Sequence, residues 1–138
     1  MKFKDSKYYK LKHYQIERPF GDFYLLENFF VSELNEGVHF DWEMIKSVMD
    51  EVIIFYGLDS QIGYISNRTN SYSIDPQTWN KVDKEYGVIV AGAIVTYNTM
   101  TFMNATLEKQ FYKKSIKRCL SLDEAIEWIS NLKELKNI

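Results

Sequence analysis

From Val88 to Tyr97 the chain reads VIVAGAIVTY, an apolar run with no alternation of polar positions. A strand shows this pattern when both faces of its sheet are covered, as in parallel α/β folds. Upstream, Trp42, Ile45, Met49, Val52, Ile53 and Tyr56 fall on one helical face, with Asp41 as N-cap and Gly57 as the stop. Trp79, Val82 and Tyr86 predict a second helix, begun at Asp75-Pro76 and closed by Gly87. Asn104 caps a third predicted helix, with Leu107 and Phe111 turned inward, after the segment Asn98 to Met103. Ser121 and Glu124 stand at capping-box spacing before a fourth, whose apolar face is Leu122, Ala125, Ile126, Ile129 and Leu132.

Between these helices lie shorter strand patterns, Ile62 to Ser66 and Ile116 to Leu120. The stretches Phe23 to Leu26 and Phe29 to Leu34, joined by Glu27-Asn28 after a Pro19 to Asp22 turn, predict a hairpin closed by Asn35-Glu36-Gly37. Residues 1 to 15 alternate lysines with aromatic and aliphatic residues and read as a tail or a charged edge strand. The predicted order is therefore a hairpin followed by α, β, α, β, α, β, α. Crossover connections make the later strands parallel and the hairpin makes the sheet mixed, an α/β fold with about four helices. Neighbouring strand residues face opposite ways, so the rings of Phe20, Phe23, Tyr24, Phe29 and Phe30 cannot share one sheet face. Residues 1 to 15 or a second copy in a homodimer would cover the remainder.

Composition narrows the class. At 138 residues, 1–138 is one domain with one core, and a formal charge of -2 gives no field to concentrate nucleic acid or anionic membrane. No apolar run reaches the ~18 residues of a membrane span, and the basic amino terminus lacks an apolar signal core. With its single cysteine, Cys119, the chain reads as cytoplasmic. The patterns Asn67-Arg68-Thr69 and Asn104-Ala105-Thr106 match glycosylation acceptors by chance in that setting.

Candidate chemistry is sparse. His13 and His39 have no metal-ligand spacing, and Cys119 sits at an apolar strand position, where a buried small hydrophobe is the common role. No metal and no cofactor is called for. Lys109, Lys113, Lys114, Lys117 and Arg118 read as a solvated face rather than a nucleic-acid surface. The loop Asn67 to Ser73 (NRTNSYS) follows a parallel strand's carboxyl end, where open α/β sheets bind their ligands. That makes Asn67, Arg68, Asn70, Ser71 and Ser73 the candidate binding residues, although the same residue types also build turns and caps. No spacing of acids, bases or nucleophiles points to catalysis.

Two stretches, Phe29 to Trp42 (FFVSELNEGVHFDW) and Ile116 to Ile129 (IKRCLSLDEAIEWI), resemble the STAS domains of anti-sigma-factor antagonists, and more closely the SpoIIAA-like proteins. The resemblance covers most of the chain after residue 20. It implies a cytosolic, non-catalytic interaction or regulatory module with a protein partner. The SpoIIAA-like fold is in turn similar to the lipid-binding SEC14 class, which implies the alternative of a carrier for a lipid or other small apolar ligand. STAS antagonists are switched by phosphorylation of a serine in an Asp-Ser-Ser-Gly context. Here the corresponding loop reads Asn70-Ser71-Tyr72-Ser73-Ile74-Asp75-Pro76, so Ser71 and Ser73 correspond by position alone. A phosphate there would strain the Asp75 cap and could pair with Arg68.

Overall fold

Six strands lie side by side in one sheet, in the order in which they follow one another along the chain. The computed structural model describes residues 1–111 and 115–135, without the side chains of residues 99, 100, 107, 110 and 111. Two short 3-10 turns, Phe3–Asp5 and Lys7–Lys10, precede β1 (Tyr14–Arg18), β2 (Gly21–Leu25) and β3 (Phe29–Leu34). Next come α1 (Trp42–Tyr56), β4 (Ile62–Asn67), α2 (Thr78–Glu85), β5 (Ile89–Val95), α3 (Thr99–Phe111), β6 (Ser115–Cys119) and α4 (Leu122–Ser130). The first three strands are antiparallel, and β3 through β6 run parallel. This is the mixed α/β sheet that the patterning predicts.

Local signals account for most boundaries. The Asp41 carboxylate accepts the Met44 N–H at 2.9 Å to start α1, and Gly57, at φ 96°, ends it. At α4 the Ser121 hydroxyl accepts the Glu124 N–H at 3.0 Å, while the Glu124 carboxylate takes the Leu120 N–H. The third helix departs from expectation. It begins at Thr99 rather than after Asn104, because the Asn98 side chain accepts the Thr101 N–H at 2.8 Å and caps the chain six residues earlier. The inward turn of Leu107 and Phe111 lies outside the described side chains, as do Lys113 and Lys114 among the residues.

Both faces of the sheet are covered, which is why β5 shows no alternation. On one side Phe23, Phe30 and Leu34 meet Ile45, Val48, Met49 and Val52 of α1, and Ile94 meets Trp79 of α2 and Ala105 of α3. On the other, Val31, Ile65, Ala93 and Cys119 meet Leu122, Ala125, Ile126 and Ile129 of α4. The amino-terminal segment completes this second layer: Phe3 is fully buried, with its ring 4.7 Å from that of Tyr24. The hairpin rings Phe23, Tyr24, Phe29 and Phe30 are therefore buried within one chain, and Phe20 is half-buried against Phe23 and Phe40, so no second subunit is needed to cover the four. Residues 1 to 15 are neither wholly tail nor wholly edge strand. They supply this cover and then the start of β1, whose two-residue turn, Pro19-Phe20, makes a second hairpin.

α4 sits close on the sheet because β4 offers it a glycine. A Cβ added to Gly63 would fall 2.5 Å from two side-chain carbons of Ile129, itself fully buried. Gly63→Ala is expected to destabilise the fold by about 1–3 kcal/mol in urea denaturation, through overpacking that a buried Ile cannot relieve. An unchanged midpoint would show that α4 packs more loosely than this.

Candidate functional site

β4 ends in Ser66 and Asn67, with Arg68 next, and alternation sends their side chains to opposite sides of the sheet's carboxyl edge. On the side of α2 and α3, the Arg68 guanidinium meets the Glu108 carboxylate in a fork, Nη1 to Oε2 at 2.5 Å and Nη2 to Oε1 at 2.6 Å. Arg68 Nε donates to Ser66 Oγ at 3.0 Å, and Trp79 Nε1 donates to Glu108 Oε1 at 2.8 Å. The Tyr72 hydroxyl shares a hydrogen bond with Ser66 Oγ at 2.6 Å, while its ring lies 5.0 Å from the Arg68 guanidinium carbon. Both ions are almost wholly removed from water, with side chains 5% and 3% exposed.

On the opposite side Asn67 is the hub. Its Nδ2 donates to Glu33 Oε2 at 2.7 Å and to the Met1 carbonyl at 2.9 Å, and its Oδ1 accepts from the Tyr97 hydroxyl at 2.7 Å. Glu33 also accepts the Phe3 N–H at 2.7 Å, so the amino-terminal segment is pinned over the ends of β3 and β4. Burial raises the Glu33 carboxyl above its ordinary value, with the Phe3 and Asn67 hydrogen bonds and nearby Lys2 pulling the other way. Burial, with Glu33 close by, pushes the Tyr97 hydroxyl up to about 12. On the last strand, burial pushes the Cys119 thiol up to about 11, the state of an inert rather than a nucleophilic cysteine.

The rest of the loop stitches itself to the connection between β3 and α1. Asn70 Nδ2 donates to the Leu34 carbonyl at 3.1 Å, and the Ser71 N–H donates to Glu36 Oε2 at 2.6 Å. Gly37 N–H donates to the Ser71 carbonyl, Phe40 N–H to that of Ser73, and Ser73 Oγ lies 2.7 Å from His39 Nδ1. Arg68, Asn70, Ser71 and Ser73 thus border one open hollow of about 290 Å³, whereas Asn67 faces away from it. Glu108 and Ser66 engage three of the five Arg68 N–H groups, so a phosphate on either serine would compete with those bonds for the guanidinium. Asp75 holds the Gln77 N–H at 3.0 Å. In the basic group, Lys117 pairs with Glu124 at 3.6 Å and Arg118 donates to Thr106 Oγ1 at 2.7 Å.

Sequence reasoning missed Glu108 and Trp79, because Arg68 and Glu108 lie 40 positions apart and each alone reads as a solvated charge. It also missed an apolar surface at the other end of the sheet. There the rings of Tyr14 and Phe55 stack with centroids 5.7 Å apart, beside a groove of about 710 Å³ bordered by Leu11, Lys12, His13 and Phe29. Leu11, Tyr14 and Phe55 are each nearly half exposed, and Ile54 and Leu58 are exposed at 84% and 72%. Clusters of this kind mark contact sites.

Glu108→Gln leaves the buried guanidinium without its counter-charge and is expected to cost about 3–5 kcal/mol in urea denaturation. The double replacement Arg68→Met, Glu108→Leu should recover most of that, and equal losses in both would contradict a paired role. Glu33 should titrate above the ordinary 4.5 by carboxyl-carbon NMR. Because the folded state then holds this proton more tightly than the unfolded one, its contribution to stability declines as pH rises from 4.5 through the raised value. A Glu33 pKa at or below 4.5 would contradict the burial.

No protein-family model and no curated protein matches this sequence. Among solved structures the chain is similar to an uncharacterized protein from the DUF3478 family with a SpoIIAA-like fold, from Shewanella loihica PV-4. The two are 13% identical, with a TM-score of 0.51, and the match covers 86% of this chain and 92% of that one. At that identity the likeness speaks for architecture alone. It agrees with the six-stranded mixed sheet and with α1 to α4, and this chain has a SpoIIAA-like fold.

Proposed function

We propose that this chain is a non-catalytic module that works by protein contact. The observation that carries the reading is the state of the carboxyl edge, where open α/β sheets keep their chemistry. Arg68, Glu108, Ser66 and Tyr72 bond one another on one side of the sheet there, Asn67 bonds Glu33 on the other, and both sets serve the fold. The surface left open to a partner is apolar and lies at the other end, around Tyr14, Ile54, Phe55 and Leu58. Ser71 and Ser73 are exposed, and a phosphate on Ser71 would stand beside Glu36 and loosen the stitched loops, a regulatory role that needs no arginine.

The carrier reading draws less support. The apolar hollow beneath the hairpin, between α1, α2 and the sheet, measures about 50 Å³ and is bordered by Phe23, Phe30, Phe40, Met49 and Trp79. Pockets that enclose organic ligands run to roughly 300–1,000 Å³, a size that the groove of about 710 Å³ beside Tyr14 and Phe55 has and the hollow beneath the hairpin lacks.

Affinity isolation of the tagged chain from its own cells, beside a Phe55→Ser variant, tests the proposal. The wild type should hold a protein companion that the variant loses while keeping its circular dichroism spectrum. Mass spectrometry of organic extracts should find no stoichiometric lipid. A small apolar molecule that co-purifies one to one would overturn the reading.

A further inference from the structure

The backbone of β1 has an outer edge whose pattern fits a second copy of itself. Asn35 N–H bonds to the Phe20 carbonyl and Leu26 N–H to that of Phe29. In an antiparallel ladder bonded and non-bonded pairs alternate, so Phe20, Asp22, Tyr24 and Leu26 bond toward β3. Gly21, Phe23 and Leu25 therefore bond toward β1, to their partners Arg18, Ile16 and Tyr14. The N–H and C=O groups of Gln15 and Glu17 are left pointing away from the sheet. On that open side the Arg18 guanidinium donates to the Glu17 carbonyl at 3.3 Å, a long bond that the pairing has to replace.

We propose that β1 pairs with β1 of a second copy, antiparallel about a two-fold axis through Ile16, so that two six-stranded sheets become one. This rests on the contact-module reading and names the partner. In that register Gln15 stands opposite Glu17 of the other copy, and each such pair exchanges both backbone hydrogen bonds through the outward-facing groups. The Gln15 amide reaches the Glu17 carboxylate on one face. On the other, Arg18, which its own Glu51 holds at 3.0 Å, stands opposite the Tyr14 ring. Ile16, already buried in its own core, lies at the axis, and the Tyr14–Phe55 stack flanks the joint with apolar surface. The two-fold operation thus sets unlike groups against each other at every position but the centre.

The opposite edge does not share this property. β6 carries Lys117 and Arg118 side by side, so self-pairing there brings positive charges together. Nor does β1 carry the usual guards of an edge strand within its length: it has no proline or bulge, and its two charges are of opposite sign. Pro19 limits the joint to the five residues of the strand.

Sedimentation velocity over a concentration series, with circular dichroism melts as folding controls, tests the pairing. The wild type should be a dimer. Gln15→Glu sets like charges opposite at both symmetric positions and should weaken dimerisation roughly tenfold. Adding Glu17→Lys converts both positions to opposite-charge pairs and should restore the wild-type affinity or better. A wild type that stays monomeric, one that grows into open-ended oligomers, or a dimer equally tight in all three proteins would overturn the proposal. A monomer that still loses a different protein companion on Phe55→Ser would refute β1 pairing alone, whereas a co-purifying apolar molecule would refute the contact-module reading itself.

Discussion

The fork between Arg68 and Glu108 is the constraint on which the carboxyl edge depends. Two ions sealed from water are held there by each other, by Ser66, and by the Trp79 indole, which joins β4, α2 and α3 at one point. Such pairs add little net stability over a well-packed apolar replacement, yet either ion left alone is costly. The consequence is positional. Helix α3 can dock only where Glu108 reaches the guanidinium, and α2 only where its indole reaches Glu108. On the other side of the sheet Asn67, between Glu33 and Tyr97, does the same for the amino-terminal segment, which in turn covers the Tyr24 ring of the hairpin.

Much of this architecture was legible because it is governed by short-range rules. Val88 to Val95 declares a doubly covered strand by composition alone, and Asp41, Gly57 and Ser121 mark helix ends through bonds made within a few residues. The first hairpin was harder to read. Its strand, YQIER, is short and polar and stands after two 3-10 turns, so periodicity has little length to work on. α3 was misplaced because Asn98 and Asn104 are equally good caps and only the local geometry decides between them. The covering of the hairpin rings was legible as a need, though not as the role of Phe3.

The candidate loop shows the limit of reading polar residues one by one. Asn67, Arg68, Asn70, Ser71 and Ser73 have the composition of a binding loop, and four of them do border one hollow. Their partners, Glu33, Glu108, Leu34, Glu36 and His39, lie 34 to 40 positions away along the chain, and those partners decide whether a side chain is offered to a ligand or kept by the fold. The apolar surface around Tyr14 and Phe55 was invisible for the complementary reason. Each residue alone belongs to an unremarkable strand or helix, and only the packing of β1 beside the end of α1 brings the two rings together in the open.

The proposed division between a carboxyl edge that serves the fold and an opposite end that serves contact rests on Arg68 being unavailable to ligands. Nitrogen NMR of its guanidinium reads this directly. A buried, forked Arg68 gives resolved and slowly exchanging Nη protons at neutral pH that do not shift when inorganic phosphate is added. Nη protons that exchange as fast as those of free arginine, and move with phosphate, would contradict the account.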